Sequence, residues 1–120
     1  MLLFLEGHLE KGGFGDVFLC TSSKGYGNRF AAKVIAKNRI SQWIHKQPSE
    51  IFIHRRIGFV KGIIEFYLAY ETTHNYILIL DKPEGFCDLI DVLEKEGRFS
   101  ESTCRTIFKQ LLCVVSNLYV

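Results

Sequence analysis

The sequence predicts an α+β fold, in which a five-stranded antiparallel sheet with one inserted helix is followed by two helices. Three observations predict it. Apolar runs rich in strand-favouring residues, separated by glycine-containing turns, fill most of residues 1–80. A segment led by Pro48 interrupts them with helical spacing. After Leu80 the strand pattern gives way to helical spacing, so strands and final helices are segregated rather than alternating.

Composition sets the class of protein. The chain has 120 residues, 48% of them hydrophobic and 23% charged, which is typical of one globular domain. A net charge of +2 gives no argument for a nucleic-acid or membrane partner, and no apolar run approaches the ~18 residues of a membrane span. The cysteines form no C-x-x-C pair, so we expect no zinc site or disulfide framework, and reduced thiols in a cytoplasmic or nuclear protein: Cys20, Cys87, Cys104 and Cys113.

The first three strands are predicted from the runs at 2–9, 16–20 and 29–35, and together they form an antiparallel meander. Residues 62–70 and 76–80 are predicted to form a second hairpin. The helix between these two groups follows Pro48, and its shared face is predicted to hold Glu50, Ile53, His54 and Ile57.

The two final helices are predicted from their caps and spacing. Gly97 ends the first, whose apolar positions are Phe86, Leu89, Ile90 and Leu93. Ser100 caps the second, followed by Glu101 at the positive end of the helix. Its apolar stripe consists of Phe108, Leu111, Leu112, Val115 and Leu118.

Three glycines within four positions, in "EKGGFGDV", raise the question of a phosphate-binding loop. A dinucleotide-binding loop needs a helix after the glycines, and "DVFLC" is a poor helix start. Gly12, Gly15 and Val17 instead have the spacing of the glycine-rich loop of protein kinases, although a plain hairpin turn explains the glycines equally simply.

Other segments extend this likeness in the order of a kinase. "FAAK" (30–33) stands where kinases have V-A-I-K, Glu50 follows on a helix, and "ILILDKPE" (77–84) is similar to a strand and interlobe hinge. With "KNRISQW" (37–43) and "DLIDVLEKEGRFSE" (88–101), the chain resembles the Pim family of serine/threonine protein kinases. The resemblance implies a kinase N-lobe over 1–80, a hinge over 81–85 and the start of a C-lobe over 86–120.

The resemblance also implies the roles of individual residues. Lys33 and Glu50 would form the ion pair that positions ATP, Ala31 would contact the adenine, Leu80 would be the gatekeeper, and the Asp81 carbonyl would accept a hydrogen bond from adenine. The nucleotide-covering loop would consist of Leu9, Glu10, Lys11, Gly12, Gly13, Phe14, Gly15, Asp16 and Val17.

The hinge and the following helix carry the family's more specific marks. Pro83 has no N–H to offer adenine, so ATP would have one hinge hydrogen bond instead of two. Asp88 and Asp91, on the polar face of their helix, would favour basic serine/threonine protein substrates, whereas an ordinary solvated face is the simpler alternative.

Some residues depart from the family pattern. Glu10 replaces the first loop glycine, and His54 occupies a position that is normally aliphatic and would need a hydrogen-bond partner. The H-R-D and D-F-G motifs, which supply the catalytic base and the Mg²⁺ ligands, are not in these 120 residues; "HRR" at 54–56 offers Arg56 in place of the acid.

We therefore expect this chain to be the ATP-binding portion of a kinase whose full-length form transfers the γ-phosphate of ATP. The 120 residues alone are expected to be inactive and to have no metal site of their own. The alternative is a non-catalytic pseudokinase-like module that binds or regulates a partner through its exposed final helix.

Overall fold

The computed structural model describes residues 3–12, 15–22, 29–83, 85 and 87–119. In chain order the elements are β1 (Leu3–Gly12), β2 (Gly15–Ser22), β3 (Arg29–Ala36), β4 (Trp43–Ile44), β5 (Gln47–Pro48), α1 (Ser49–Ile57), β6 (Phe66–Glu71), β7 (Asn75–Asp81), α2 (Leu89–Glu96) and α3 (Glu101–Leu118). A short 3₁₀ helix spans Lys37–Arg39. None of the described helices is both long enough and apolar enough to cross a membrane.

Five strands form one sheet in the order β1-β2-β3-β7-β6, with every neighbouring pair antiparallel. The predicted α+β fold, the meander and the second hairpin are therefore confirmed. The contacts divide the chain into two compact units, Met1–Phe59 with Ile64–Lys82, and Val60–Ile63 with Pro83–Val120.

The core of the first unit lies on both sides of the sheet. Because successive strand residues point to opposite sides, Tyr76 and Leu78 of β7 join a cluster with Ile35 and with Ile51 of α1. The intervening Ile79 joins a second cluster with Cys20 and Ala32. This explains why "YILIL" is apolar at every position, since apolar partners cover both of its sides.

The inserted helix begins after Pro48 as predicted, but the face named from its spacing is not centred on the residue that packs against the sheet. Ile51 is 2% exposed and packs against the sheet, whereas Ile53 is 49% exposed. His54 lies at the margin of the buried side, and its Nε2 is 2.7 Å from the Ile64 carbonyl oxygen. The partner that a half-buried imidazole needs is therefore a backbone carbonyl.

Two local features differ from the sequence prediction. β4 and β5 form a small additional hairpin, with His45 and Lys46 at its tip at φ 49° and 64°. These backbone angles suit a two-residue turn, but neither residue is the Asn or Gly that announces one. The second hairpin starts later than predicted, because β6 begins at Phe66 rather than at residue 62.

In the second unit the predicted caps are confirmed. The Ser100 hydroxyl accepts a hydrogen bond from the Thr103 N–H at 3.1 Å, and Gly97 follows α2 at φ 78°. A Cβ on Gly62 would collide with Val114, so Val114, not the predicted stripe, meets the 60–63 segment. The predicted stripe of α3 is exposed along its length: Phe108, Leu111, Leu112, Val115 and Leu118.

The corrected burial of α1 gives a matched pair of isoleucines. We expect Ile51→Ala to lower the free energy of unfolding by about 2–5 kcal/mol, because it leaves a cavity against β3 and β7. Ile53→Ala removes the same atoms from an exposed position of the same helix and should cost much less. Urea unfolding of both variants tests this, and equal losses would contradict the observed orientation of α1.

Candidate functional site

Four of the residues singled out from the sequence lie on one side of the sheet. In β2, β3 and β7, Val17 pairs with Lys33, Lys33 pairs with Leu78, and Ala31 pairs with Leu80. Directly opposed residues on neighbouring strands point to the same side. Val17, Ala31, Lys33 and Leu80 therefore share the side on which α1 packs.

Lys33 and Glu50 form an ion pair on this side of the sheet, with Lys33 Nζ donating to Glu50 Oε1. Lys33 lies on β3, the middle strand, and Glu50 in the first turn of α1, where a carboxylate also interacts favourably with the helix dipole. The side chains are 20% and 38% exposed, so water screens the pair only in part and other groups can still reach both.

The glycine segment forms the turn between β1 and β2. Gly12 and Gly15 are paired across the hairpin, which leaves a two-residue connection. Gly15 has φ +149°, and a Cβ there would lie 2.7 Å from the Val34 carbonyl oxygen and 3.5 Å from Lys33 Cε. Only glycine fits this close approach, and it brings the backbone of the turn next to the Lys33 side chain.

The rest of the predicted loop is described in part. Leu9, Glu10, Lys11 and Gly12 belong to β1, and the register shifts between His8 and Glu10, leaving Leu9 without a paired residue on β2. The structure gives the backbone of these residues. Gly13 and Phe14 lie outside the described residues, and Asp16 pairs with Val34 in β2.

Leu80 and Asp81 end β7 at the edge of this side of the sheet. Leu80 is half-buried between Ala31 and Phe66, and the Asp81 N–H donates to the Glu65 carbonyl at 2.9 Å. The Asp81 side chain hydrogen-bonds to Tyr67, whose pKa is raised by burial and by the neighbouring Asp81 and Glu65 carboxylates. The Asp81 side chain is thus engaged by Tyr67 and its N–H by the Glu65 carbonyl.

The two predicted substrate-binding acids belong to the second compact unit. Asp91 is exposed in the first turn of α2, but Asp88 precedes the helix as its N-cap. Asp88 Oδ1 accepts a hydrogen bond from the Ile90 N–H at 3.0 Å. The prediction that both acids lie on one helical face is therefore wrong for Asp88, because its carboxylate is used to begin the helix.

Within residues 3–12, 15–22, 29–83, 85 and 87–119, no group of three or more His, Cys, Asp or Glu side chains is close enough to hold a metal ion. The "HRR" segment lies on α1, and the Arg56 guanidinium stacks over the Phe52 ring at 3.8 Å. Arg56 is thus part of a cation–π contact on a helix.

A second ion pair between a lysine and a glutamate, at the 3₁₀ helix that follows β3, was not predicted. Lys37 Nζ donates to Glu71 Oε2 at 2.9 Å and lies 5.3 Å from the centre of the Tyr76 ring. Hydrogen bonds from Lys37 and then from Tyr76, together with the Lys37 charge, lower the pKa of Glu71. Because Lys37 and Glu71 are 34 residues apart in the chain, no local sequence pattern predicts their contact. Folding of the β6–β7 hairpin brings Glu71 next to Lys37.

Comparison with known proteins identifies the family. The family described as Protein kinase domain matches residues 5–120. The chain belongs to the protein kinase family. In kinases in general, a lysine on the third strand pairs with a glutamate of the adjacent helix and contacts the phosphates of ATP, and Lys33 and Glu50 have this arrangement.

Individual relatives agree on serine/threonine kinases. The chain is 24% identical over 115 residues to Serine/threonine-protein kinase prk-2 of Caenorhabditis elegans, covering 92% of the chain and 26% of that protein. It is 32% identical over 113 residues to Calcium-dependent protein kinase 29 of Arabidopsis thaliana, covering 92% and 21%. It is 29% identical over 118 residues to Serine/threonine-protein kinase pim-2 of Danio rerio, covering 87% and 38%.

The chain thus spans between about a fifth and two fifths of the length of these relatives. Similarity is comparable for relatives of different kinase groups. The comparisons support a serine/threonine kinase and do not single out one group.

The Lys37–Glu71 pair generates a pH prediction. Because the folded state lowers the pKa of Glu71 from its ordinary value of 4.5, the pair stabilises the fold above that pH, and its contribution is lost as the pH falls through the folded pKa. Glu71→Gln should therefore destabilise the chain at neutral pH and make less difference in acid. Urea unfolding at both pH values measures this.

Lys37→Met tests whether Lys37 is the cause of the lowered pKa of Glu71. Because the hydrogen bond from Lys37 is the main cause of the lowered pKa of Glu71, this variant should abolish most of the pH dependence of stability that Glu71 contributes. A Glu71→Gln effect that is the same at neutral and acid pH would contradict the assignment.

Proposed function

We propose that this chain is the nucleotide-binding part of a serine/threonine protein kinase that transfers the γ-phosphate of ATP to serine or threonine. The observation that carries the proposal is the Lys33–Glu50 ion pair on the side of the sheet shared by Val17, Ala31 and Leu80. A cation beside an apolar strip meets the two needs of a purine triphosphate, which are charge for the phosphates and apolar surface for the base.

Each residue has a role in this proposal. Glu50 holds the Lys33 ammonium, which retains N–H groups for the α- and β-phosphates. Val17 and Ala31 contact the base, Leu80 closes the back of the site, and the Asp81 carbonyl accepts a hydrogen bond from adenine. The residues fit a nucleotide because Gly15 brings the turn backbone close to the Lys33 chain.

No chemical step is assigned to these residues beyond binding and orientation. H-R-D and D-F-G do not occur in the sequence, and the described residues offer no Mg²⁺ cluster. When bound, Mg²⁺ supplies charge neutralisation on the phosphates, and its ligands and the catalytic base are not among the residues described above. The 120 residues alone are therefore proposed to bind nucleotide without transferring phosphate.

The proposal extends to organisation and location. Residues 1–80 are proposed to be the N-lobe, 81–85 the hinge and 86–120 the start of the C-lobe. A cytoplasmic or nuclear location is proposed, in keeping with the exposed thiols of Cys87, Cys104 and Cys113.

A Pim-like preference for basic substrates is the finer part of the proposal. It rests on the hinge proline Pro83, on the acids Asp88 and Asp91, and on similarity to pim-2 of Danio rerio. Although Asp88 caps α2 through Oδ1, its carboxylate keeps a negative charge, and Asp91 is exposed. Carboxylates at the start of α2 attract the guanidinium groups of arginine-rich peptides.

Nucleotide binding is tested by thermal shift with ADP. At saturating ligand the chain should gain up to about 3 kcal/mol, a rise in midpoint of roughly 10–15 °C for a chain of this size. Lys33→Met should lose most of this rise, because the phosphates lose their cation.

Lys37→Met is the matched control for that experiment. It removes an ion-paired lysine of the neighbouring 3₁₀ segment, which lies over the Tyr76 ring at the end of the sheet away from Ala31 and Leu80, and should keep the full rise. The rise on adding ADP is compared within each variant, so a change in basal stability does not affect the comparison. Equal rises in the two variants would refute the role of Lys33.

Substrate preference is tested by titrating an arginine-rich peptide and observing backbone amide shifts. We expect perturbations around α2 that weaken in Asp91→Asn and in Asp88→Asn. Because asparagine is as good an N-cap as aspartate, Asp88→Asn removes the charge and keeps the helix start. Glu96→Gln, at the far end of α2, is the charge-matched control, and equal weakening in all three variants would refute a specific role for the two acids.

A further inference from the structure

The side of α1 that faces away from the sheet has an unusual composition. Phe52, Arg55 and Arg56 follow one another at helical spacing within α1, Phe59 lies two residues beyond the end of the helix, and Lys46 lies at the tip of the adjacent β4–β5 hairpin. We call these five residues the basic face. Both arginines and Lys46 are exposed, and Phe59 is 83% exposed.

The two guanidinium groups are positioned by aromatic rings. Arg56 Cζ lies 3.8 Å from the centre of the Phe52 ring, and Arg55 Cζ lies 5.6 Å from that of Phe66. Arg55 Nη1 also reaches Gln47 Oε1 at 3.5 Å. A guanidinium stacked on a ring presents its N–H edge outwards, in the geometry that receives a carboxylate.

Among the residues that the structure describes, no carboxylate forms an ion pair with the basic face. In the stretch from Trp43 to Phe59, the acid is Glu50, which pairs with Lys33 on the opposite side of α1. The ion pairs formed by the described residues do not include Lys46, Arg55 or Arg56. Arginines in the last turn of α1 interact favourably with the helix dipole, which explains their presence there. The dipole does not explain the exposed Phe59 that follows them in the chain.

We propose that the basic face binds an acidic segment of a partner protein, with carboxylates on Arg55 and Arg56 and an apolar side chain against Phe59. Charge complementarity selects the partner, and the exposed ring gives the contact an apolar centre. A nucleic acid fits less well, because Arg56 and His45 already pack against the Phe52 ring, which is then not open to a base.

The test uses fluorescence anisotropy with a labelled peptide of glutamates around two phenylalanines, added to the whole 120-residue chain. We expect saturable binding that added salt weakens. Arg55→Gln combined with Arg56→Gln should reduce the affinity about tenfold, since two charge-assisted contacts are lost. Phe59→Ser should reduce the affinity for this peptide and leave that for a glutamate-only peptide unchanged.

Arg39→Gln combined with Arg98→Gln is the charge-matched control, because it removes two exposed arginines located elsewhere and should leave the affinity unchanged. Circular dichroism checks that each double variant is folded. The proposal is overturned by the absence of binding, by equal losses in the two double variants, or by tighter binding of a single-stranded oligonucleotide of the same charge. Sedimentation showing that the basic face instead joins two copies of the chain would also overturn it.

Discussion

The ion pair between Lys33 and Glu50 depends on almost every other feature of the first compact unit. It needs β3 in the middle of the sheet, α1 packed on one side of it, and Glu50 in the first turn of that helix. A pair this exposed adds little to the free energy of unfolding, roughly 0–1 kcal/mol. Burial of Ile35, Ile51 and Leu78 holds the two elements together, and the ion pair then fixes where one ammonium points. Stability and positioning are thus supplied by different residues of the same two elements.

The register of the sheet is the second constraint, because a shift of one residue would move Lys33 to the side of Ala32 and Ile79. Such a shift would bury an ammonium among apolar side chains and remove the Lys33 ammonium from Glu50. The alternation in β3, where polar Lys33 stands between apolar neighbours that face the other way, therefore makes one register far more favourable than the next. Gly15 adds a local constraint, because its close approach to the Val34 carbonyl permits no side chain.

The sequence was informative where a pattern is local. Strand runs, Ser100, Gly97 and Pro48 mark the elements and their ends, and spacing from Gly15 to Lys33 gives two strands and a turn. It was misleading for the buried side of α1, because apolar spacing favoured Ile53 while the sheet contacts Ile51. It also missed that Asp88 begins α2, since an acid before an apolar run has the same letters as an acid within it. The Lys37–Glu71 pair and the β4–β5 hairpin depend on long-range packing or on positive φ at His45 and Lys46, which those residue types do not announce.

The orientation of α1 explains why one short helix carries two unlike surfaces. In the two and a half turns of α1, Ile51 faces the sheet, and Glu50 and His54 lie at the margin of that side. Arg55 reaches over Phe66 at the opposite margin, and Phe52 and Arg56 face outwards. The margin is where a charged group is most useful, because Glu50 reaches Lys33 while remaining partly in water, and His54 reaches a carbonyl. A carboxylate one position further along, at Ile51, would be buried against Leu78 without a partner. A carboxylate at Phe52 would instead stand beside Arg56 and away from the sheet. The nucleotide proposal and the acidic-partner proposal therefore use opposite sides of the same helix and share no side chain.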